Sequence, residues 1–304
     1  MTPTENIAYF NGELKPESQV SISIRDRGYL YGDAVFDATR TFNGAPFKLS
    51  QHIHRLYDSL RYLRIDVGME MDEMERWSRE VVQHNYPLLP PNQDLWVMQR
   101  ISRGLDSTGP DDRQGPTVLI ETHAIPFARR APLYMDGARV ITPSVPRIPP
   151  RFVSPRAKTH NYLNLILGDL EAQATEPDSW AVLLDENGNL TEGRGSNIFL
   201  VKDGTVATPK GQFVLEGITR GVAMNLASGL DMPVDERDLD LYDAYTADEA
   251  FLTSTSLCIC PISSVNGTPV AGGKAPGVIT RRLMDAFSDL AGMDFEGQYL
   301  AHLE

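Results

Sequence analysis

Asn11-Gly12, Asn43-Gly44, Asn187-Gly188, Asp203-Gly204 and Asn266-Gly267 punctuate this 304-residue chain, most of them flanked by short apolar runs. A tight two-residue hairpin turn needs positive φ at both central residues, which Asn or Asp followed by Gly supplies at little steric cost. Hairpins therefore recur from the first residues to the last third, and the fold must contain sheets throughout. Helical spacing intervenes. In SQHIHRLYDSLRYLRI the residues Ile53, Leu56, Tyr57, Leu60 and Leu63 share one helix face behind Ser50 as N-cap, and EMERWSREVVQHNY reads as a second helix. LWVMQRIS and TVLIETHAI read as strands. Further on, ARVITPSV, WAVLLD, SNIFLVKDG and EAFLTSTSLCI have strand character and alternate with the helical patterns NYLNLILGDLEAQA, ITRGVAMNLASG and VITRRLMDAFSDLA. Such a mixture predicts an α+β fold rather than regular βαβ winding.

The length suits two domains, because single cores stop growing at about 250–300 residues. IPFARRAP, with a basic pair between prolines, marks a connection, so the expected division is a small domain over 1–124, a linker over 125–132 and a larger domain over 133–304. The net charge of −13 disfavours nucleic acid or an anionic membrane as a partner. No apolar run approaches the roughly 20 residues that span a bilayer, and the first residues lack a secretory layout, so a cytoplasmic address is expected. Cys258 and Cys260, the two cysteines, read as core residues of one strand. His52 and His54 are poorly placed as a metal pair on a helix and read as solvated or core-edge histidines. No metal site is expected.

The chain lacks GxSxG, Walker-type GxxxxGK[ST], HExxH and a GxGxxG after a strand. Lysine is scarce, six against 22 arginines, which makes a search for an imine-forming amine short. Lys15, Lys48, Lys202, Lys210 and Lys274 lie in or beside turns. Lys158 stands between PRIPPRFVSPRA and an apolar helix, where burial favours a nucleophilic amine. A structural lysine satisfies the same pattern.

YLYGDAVFDATRTFNG, HIHRLYDSLRYL, AKTHNYLN, LTEGRGSNIFLV, VLEGITRGV and EAFLTSTSLCICPISSVNG, in that order, resemble the fold-type IV aminotransferases. This group includes branched-chain and D-amino acid aminotransferases, (R)-selective amine transaminases and aminodeoxychorismate lyase. The resemblance implies a small α+β domain, a larger domain with a barrel-like sheet core, and pyridoxal 5′-phosphate held between them. It implies Lys158 as the lysine that carries the cofactor and moves the substrate α-proton. Glu192 matches the carboxylate that faces the ring nitrogen, Tyr162 the tyrosine at the phenolic oxygen, and Asn197 the asparagine of the same block as Glu192. Arg55, Gly217, Ile218, Thr219 and Thr255 match the phosphate cup, with Ser254 beside them. The role of Arg194 is open. The family implies a homodimer.

For the substrate, Tyr31, Phe36 and Arg40 resemble the branched-chain pattern, with Ala38 where glycine is usual. Phe36, Ala38 and Arg40 share a strand face. Ser256 and Leu257 continue a loop that differs from the branched-chain one. QRISRGLDSTG, with Arg100 and Arg103, is similar to the loop of D-amino acid and (R)-amine transaminases. The expectation is transfer of an amino group between an amino acid or (R)-amine and a 2-oxo acid in ping-pong halves, with Arg40 or Arg103 as carboxylate anchor. A D-amino acid or (R)-amine transaminase proper, and a lyase of the aminodeoxychorismate type, are the alternatives.

Overall fold

The computed structural model describes residues 5–105 and 115–303. Asp106, Ser107, Thr108 and Gly109 of the expected substrate loop lie outside the described residues. Contacts divide the chain into two compact units, Met1–Ile125 with Ala157–Asn161, and Pro126–Arg156 with Tyr162–Glu304. Lys158, expected in the C-terminal part, thus groups with the first unit.

The first unit is a six-stranded antiparallel sheet in the order β2-β1-β6-β5-β3-β4. These strands are β1 (Ile7–Phe10), β2 (Glu13–Pro16), β3 (Ala34–Phe42), β4 (Ala45–Pro46), β5 (Leu95–Ser102) and β6 (Thr117–Ala124). Its helices are α1 (Arg27–Tyr31), α2 (Leu49–Leu63) and α3 (Met71–Asn85). In α2 and α3 the apolar stripes meet the sheet: Ile53, Leu56, Leu60, Met74 and Val81 pack with Val97, Ile101 and Ile120. Side chains alternate across a strand, so this leaves the opposite sheet face for Phe36, Ala38, Met98 and Arg100. The expected Ser50 cap is absent. Lys48 holds the N-cap position of α2 with left-handed backbone, and the Ser50 hydroxyl donates to Glu75 at 2.8 Å.

The second unit is built on a mixed sheet in the order β11-β10-β9-β12-β13-β7-β8, with β14 paired to β13. The strands are β7 (Ala138–Ile141), β8 (Trp180–Ala181), β9 (Asn197–Lys202), β10 (Thr205–Thr208), β11 (Val234–Glu236), β12 (Glu249–Ser254), β13 (Cys258–Val265) and β14 (Thr268–Pro269). Helices α4 (Phe127–Arg130), α5 (Pro132–Asp136), α6 (Leu163–Thr175), α7 (Ile218–Gly229), α8 (Leu241–Thr246), α9 (Val278–Ala291) and α10 (Phe295–Leu300) surround it. Phe199 and Phe251 stack at 4.8 Å between centroids within its core. Residues 125–132 are not an open connection: α4 and α5 form there because Phe127 and Tyr134 are buried, packing against Tyr299 with centroids 4.8 and 4.6 Å away.

Positive φ at both residues of Asn11-Gly12, Asn43-Gly44, Asp203-Gly204 and Asn266-Gly267 gives the β1–β2, β3–β4, β9–β10 and β13–β14 hairpins. Cys258 and Cys260 are fully buried free thiols. No helix among the described residues is long and apolar enough to cross a membrane.

Candidate active site

Lys158 is fixed through its main chain. Its carbonyl accepts the Phe36 N–H at 3.0 Å, and its own N–H donates to Ser59 Oγ at 3.0 Å. Ser59 in turn donates to the Arg55 carbonyl on α2. His160 N–H donates to the Ala34 carbonyl, so the segment Ala157–Asn161 extends the edge of β3. The amine Nζ then lies 4.7 Å from the centre of the Phe36 ring.

Arg55 belongs to a cluster that sequence reasoning missed. Its Nε and Nη2 donate to the two oxygens of Asp37 at 2.9 and 2.8 Å, and His52 Nδ1 lies 2.7 Å from Asp37 Oδ1. Asp37 and His52 are buried. Burial pushes the Asp37 carboxyl up, but Arg55 and His52 overcome this and hold it below the usual carboxylate range. Burial lowers His52 despite the Asp37 charge. His52 is thus a buried partner of an acid, not a solvated histidine. The available signal was parity: Asp37 falls on the helix-facing side of β3, and His52 and Arg55 are three apart on α2, hence on neighbouring surface.

The other face of the sheet carries a second charged group. Arg100 Nε donates to Glu121 Oε1 at 2.6 Å, and His123 Nε2 is 3.3 Å from the same oxygen. Burial pushes the Glu121 carboxyl up, but the hydrogen bonds from His123 and Arg100 outweigh it and bring the group down to about 2. The bond to Glu121 raises His123. Arg100 Cζ is 5.6 Å from the Phe36 ring centre, and the His160 ring meets the same ring edge-on at 5.3 Å. Burial, then the Arg100 charge, lowers His160 to about 4.

The two arginines expected to anchor a carboxylate are otherwise engaged. Arg40 is 2% exposed; its Nε donates to the Thr41 carbonyl and its guanidinium lies over Phe42 at 4.3 Å. Arg103 makes two bonds to Asp33, at 2.7 and 3.0 Å, and caps the carbonyls of Leu63 and Arg64 at the end of α2. Tyr31 stands exposed at the end of α1.

In the second unit, Glu192 is buried. Its Oε1 accepts from Arg147 Nε and Nη2 at 3.1 and 3.0 Å, and Oε2 accepts the Leu215 N–H at 2.9 Å. Arg147 was not anticipated; it sits in the proline-rich approach, 45 residues from its partner. Asn197, paired with Glu192 across a tight bridge, donates to the Leu215 carbonyl. A Cβ on Gly217 would sit 2.3 Å from Asn197 Oδ1, so only glycine lets α7 begin here. Gly217 makes no side-chain cap, and the N–H groups of Ile218 and Thr219 have no hydrogen-bond partner among the described residues.

Ser254 Oγ accepts the Leu257 N–H at 2.9 Å and lies 3.3 Å from Ser256 Oγ. The carbonyls of Ser256 and Leu257 accept from the Tyr299 and Tyr134 hydroxyls. The expected strand EAFLTSTSLCI is therefore two strands joined by a pinned turn, with Thr255 half-buried at its start. Tyr162 packs against the cluster formed by Ile141, Leu165, Ala172, Ala181 and Leu183. Arg194 pairs with Asp169 on α6 at 2.8 Å.

Residues 34–265 match the family model for amino-transferase class IV. The chain belongs to the class IV aminotransferases. It is 39% identical over 283 residues to the putative branched-chain-amino-acid aminotransferase of Methanocaldococcus jannaschii, covering 93% of this chain and 95% of that one. It is 28% identical to the D-alanine aminotransferase of Bacillus licheniformis, over 92% and 95% of the two chains. Its structure is similar to that of the branched-chain amino acid aminotransferase from Thermobaculum terrenum in its PLP-form, with a TM-score of 0.82, 29% identity, and 98% of this chain and 97% of that one covered. The fold is that of fold-type IV, this class IV aminotransferase is a transaminase, and its cofactor is pyridoxal 5′-phosphate. Lys158, Arg55, Phe36 and Ala38 gather in the first unit, while Glu192, Asn197, the α7 start and the 254–257 turn gather in the second.

Proposed function

We propose that this pyridoxal-phosphate aminotransferase moves an amino group between an amino acid or (R)-amine and a 2-oxo acid, with Lys158 as catalytic residue. The start of α7 carries this reading. A helix N-terminus presents unpaired amides and a favourable dipole to a phosphate, and Gly217 leaves Ile218 and Thr219 open for it. Thr255 adds a hydroxyl, and Arg55 a cation oriented by Asp37 and His52. The donor set therefore fits a phosphorylated cofactor, and Glu192 fits its ring nitrogen. When bound, that cofactor supplies an aldehyde for the amino group and a ring that withdraws electrons from the substrate α-carbon.

The protein's own groups do the rest. Lys158 Nζ takes the proton from the substrate α-carbon and delivers it on the far side of the amino nitrogen, which requires an amine held in place. The bonds from Ser59 and Phe36 hold its main chain. Glu192 keeps a negative charge in a buried position, made tolerable by Arg147. In the first unit Phe36, Ala38 and Tyr31 are assigned to the substrate; in the second, Ser256 and Leu257 are assigned to the substrate and Tyr162 to the phenolic oxygen of the cofactor. Tyr31 and Ile24, exposed in the first unit, and Leu163 and Leu170, exposed in the second, support burial by a second copy in a homodimer.

The purified protein assayed with L-leucine, D-alanine and (R)-1-phenylethylamine against pyruvate and 2-oxoglutarate tests the reaction. Turnover should require a 2-oxo acid. Amine consumption with release of pyruvate and no acceptor overturns transfer in favour of a lyase. Borohydride reduction followed by peptide mapping should label Lys158, and a label elsewhere removes it.

A further inference from the structure

We propose that Asn164 is a positioning residue: it fixes Arg147, and through Arg147 the charge on Glu192, so that the proton between Glu192 and the cofactor's ring nitrogen stays on the ring. This rests on the assignment of Glu192 to that nitrogen made above. The residues concerned all lie in the second unit. Asn164 stands in the first turn of α6, and its amide brackets the main chain at residue 147. Its Nδ2 donates to the Pro146 carbonyl at 2.8 Å, and its Oδ1 accepts the Ile148 N–H at 3.1 Å. The same Oδ1 accepts from Arg147 Nη1 at 3.3 Å, while Nε and Nη2 of that guanidinium donate to Glu192.

The stretch around Arg147 needs such a clamp. Pro143, Pro146, Pro149 and Pro150 surround it, and proline has no N–H with which to join a sheet, so residues 142–149 form no strand. A side-chain amide carries both donors and an acceptor, whereas an ionised carboxylate of the same size only accepts. One asparagine can therefore hold the carbonyl before Arg147 and the N–H after it. What the clamp fixes is the aim of a buried charge. Nε and Nη2 converge on Glu192 Oε1, and the two side chains are only 11% and 6% exposed. A cation held there favours the ionised carboxylate, and an ionised carboxylate leaves the proton to the ring nitrogen, the state in which the ring withdraws electrons. A guanidinium released to sample more rotamers would let that proton shift toward Glu192.

The test reads the ring nitrogen itself, by NMR of the holoenzyme reconstituted with pyridoxal 5′-phosphate isotopically labelled at that atom, with kcat and the urea midpoint alongside. The wild type should show a protonated nitrogen. In Asn164→Ala the protonated share should fall, and kcat with it by roughly 3- to 10-fold, the worth of one orienting hydrogen bond. The isosteric Asn164→Asp, whose charge draws the guanidinium off Glu192, should move both in the same direction. In an Arg147→Met background Asn164→Ala should leave the ring signal where Arg147→Met alone puts it, because the two residues act in series. Glu171→Ala is the structural control: the Glu171 carboxylate ties the same stretch to the same helix through Ser144, at 2.6 and 3.0 Å, and its loss should leave the ring signal as in the wild type. No shift in Asn164→Ala, an equal shift with and without Arg147, or the same shift in Glu171→Ala overturns the proposal. The assignment of Glu192 fails separately, through an unchanged ring signal in Glu192→Gln.

Discussion

The two units assemble their candidate functional residues from different materials. The first uses side-chain charge: beside the Lys158 amine, the Arg55–Asp37–His52 cluster and the Arg100–Glu121–His123 cluster both depend on ion pairs. The second uses main chain, with the α7 amides and the turn at 255–257, and one buried ion pair, Glu192–Arg147. A side chain can be deleted at one position with its surroundings kept. Main-chain donors cannot be deleted, only moved by crowding them, so substitutions in the two units should fail in different ways.

The largest effect belongs to the first unit. Lys158→Ala should lower kcat by roughly 10²–10⁴, the range of a lost general acid–base, while the denaturant midpoint stays near that of the wild type, because Lys158 is half-buried and its anchoring bonds are main-chain. A kcat loss accompanied by an equal loss in every unit-one stability probe would assign Lys158 a structural role instead. Next comes Glu192→Ala in the second unit. It strands the Arg147 guanidinium, whose side chain is 11% exposed, and removing one partner of a buried pair costs about 3–5 kcal/mol. Urea unfolding of Glu192→Ala, Arg147→Met and the double variant should show the double to be more stable than the sum of the singles. Additive losses would mean that the pair is not coupled.

How far these parts were readable before the structure depends on whether a feature is local. The α7 start was legible, because a glycine next to a helical period is a signal within a few residues. The hairpins were legible for the same reason, since Asn11-Gly12 and its counterparts encode their own backbone. The single strand expected across EAFLTSTSLCI broke because Ser and Thr serve turns and strands alike, and the Ser254 Oγ bond to Leu257 decided for a turn. Charge partners were not legible. Nothing near Arg103 announces Asp33, 70 residues away, and nothing near Glu192 announces Arg147. The sequence states that an arginine is present; only the fold states whether its guanidinium is already engaged.

Acid stability probes the first unit through a buried histidine. His160 is lowered to about 4 by burial and by Arg100, against about 6.5 in an unfolded chain. Above 6.5 both states hold it neutral. Between about 6.5 and 4 the unfolded chain takes up a proton that the native one refuses, so stability falls as pH falls. Asp37 and Glu121, both depressed, lose stability in the same sense but lower, as pH drops from the unfolded carboxylate range. Replacing His160 by Leu should remove roughly 2–3 kcal/mol of the loss between pH 7 and pH 4. Parallel pH curves for wild type and His160→Leu would show that the histidine titrates normally.

The smallest effect tests the second unit's reliance on crowding. Gly217→Ala places a Cβ 2.3 Å from Asn197 Oδ1, an overlap that forces the start of α7 outward and costs about 1–2 kcal/mol. Cofactor affinity, measured by dialysis of the holoenzyme, should weaken because the Ile218 and Thr219 amides move with the helix. Asn197→Ala removes the obstructing oxygen but also the bond to the Leu215 carbonyl, so it too should destabilise by about 1 kcal/mol. The double variant should then be close to Asn197→Ala alone, since the space that the new methyl needs is already vacated. Strict additivity of the two losses would show that Gly217 matters for its backbone freedom and not for the closeness of Asn197.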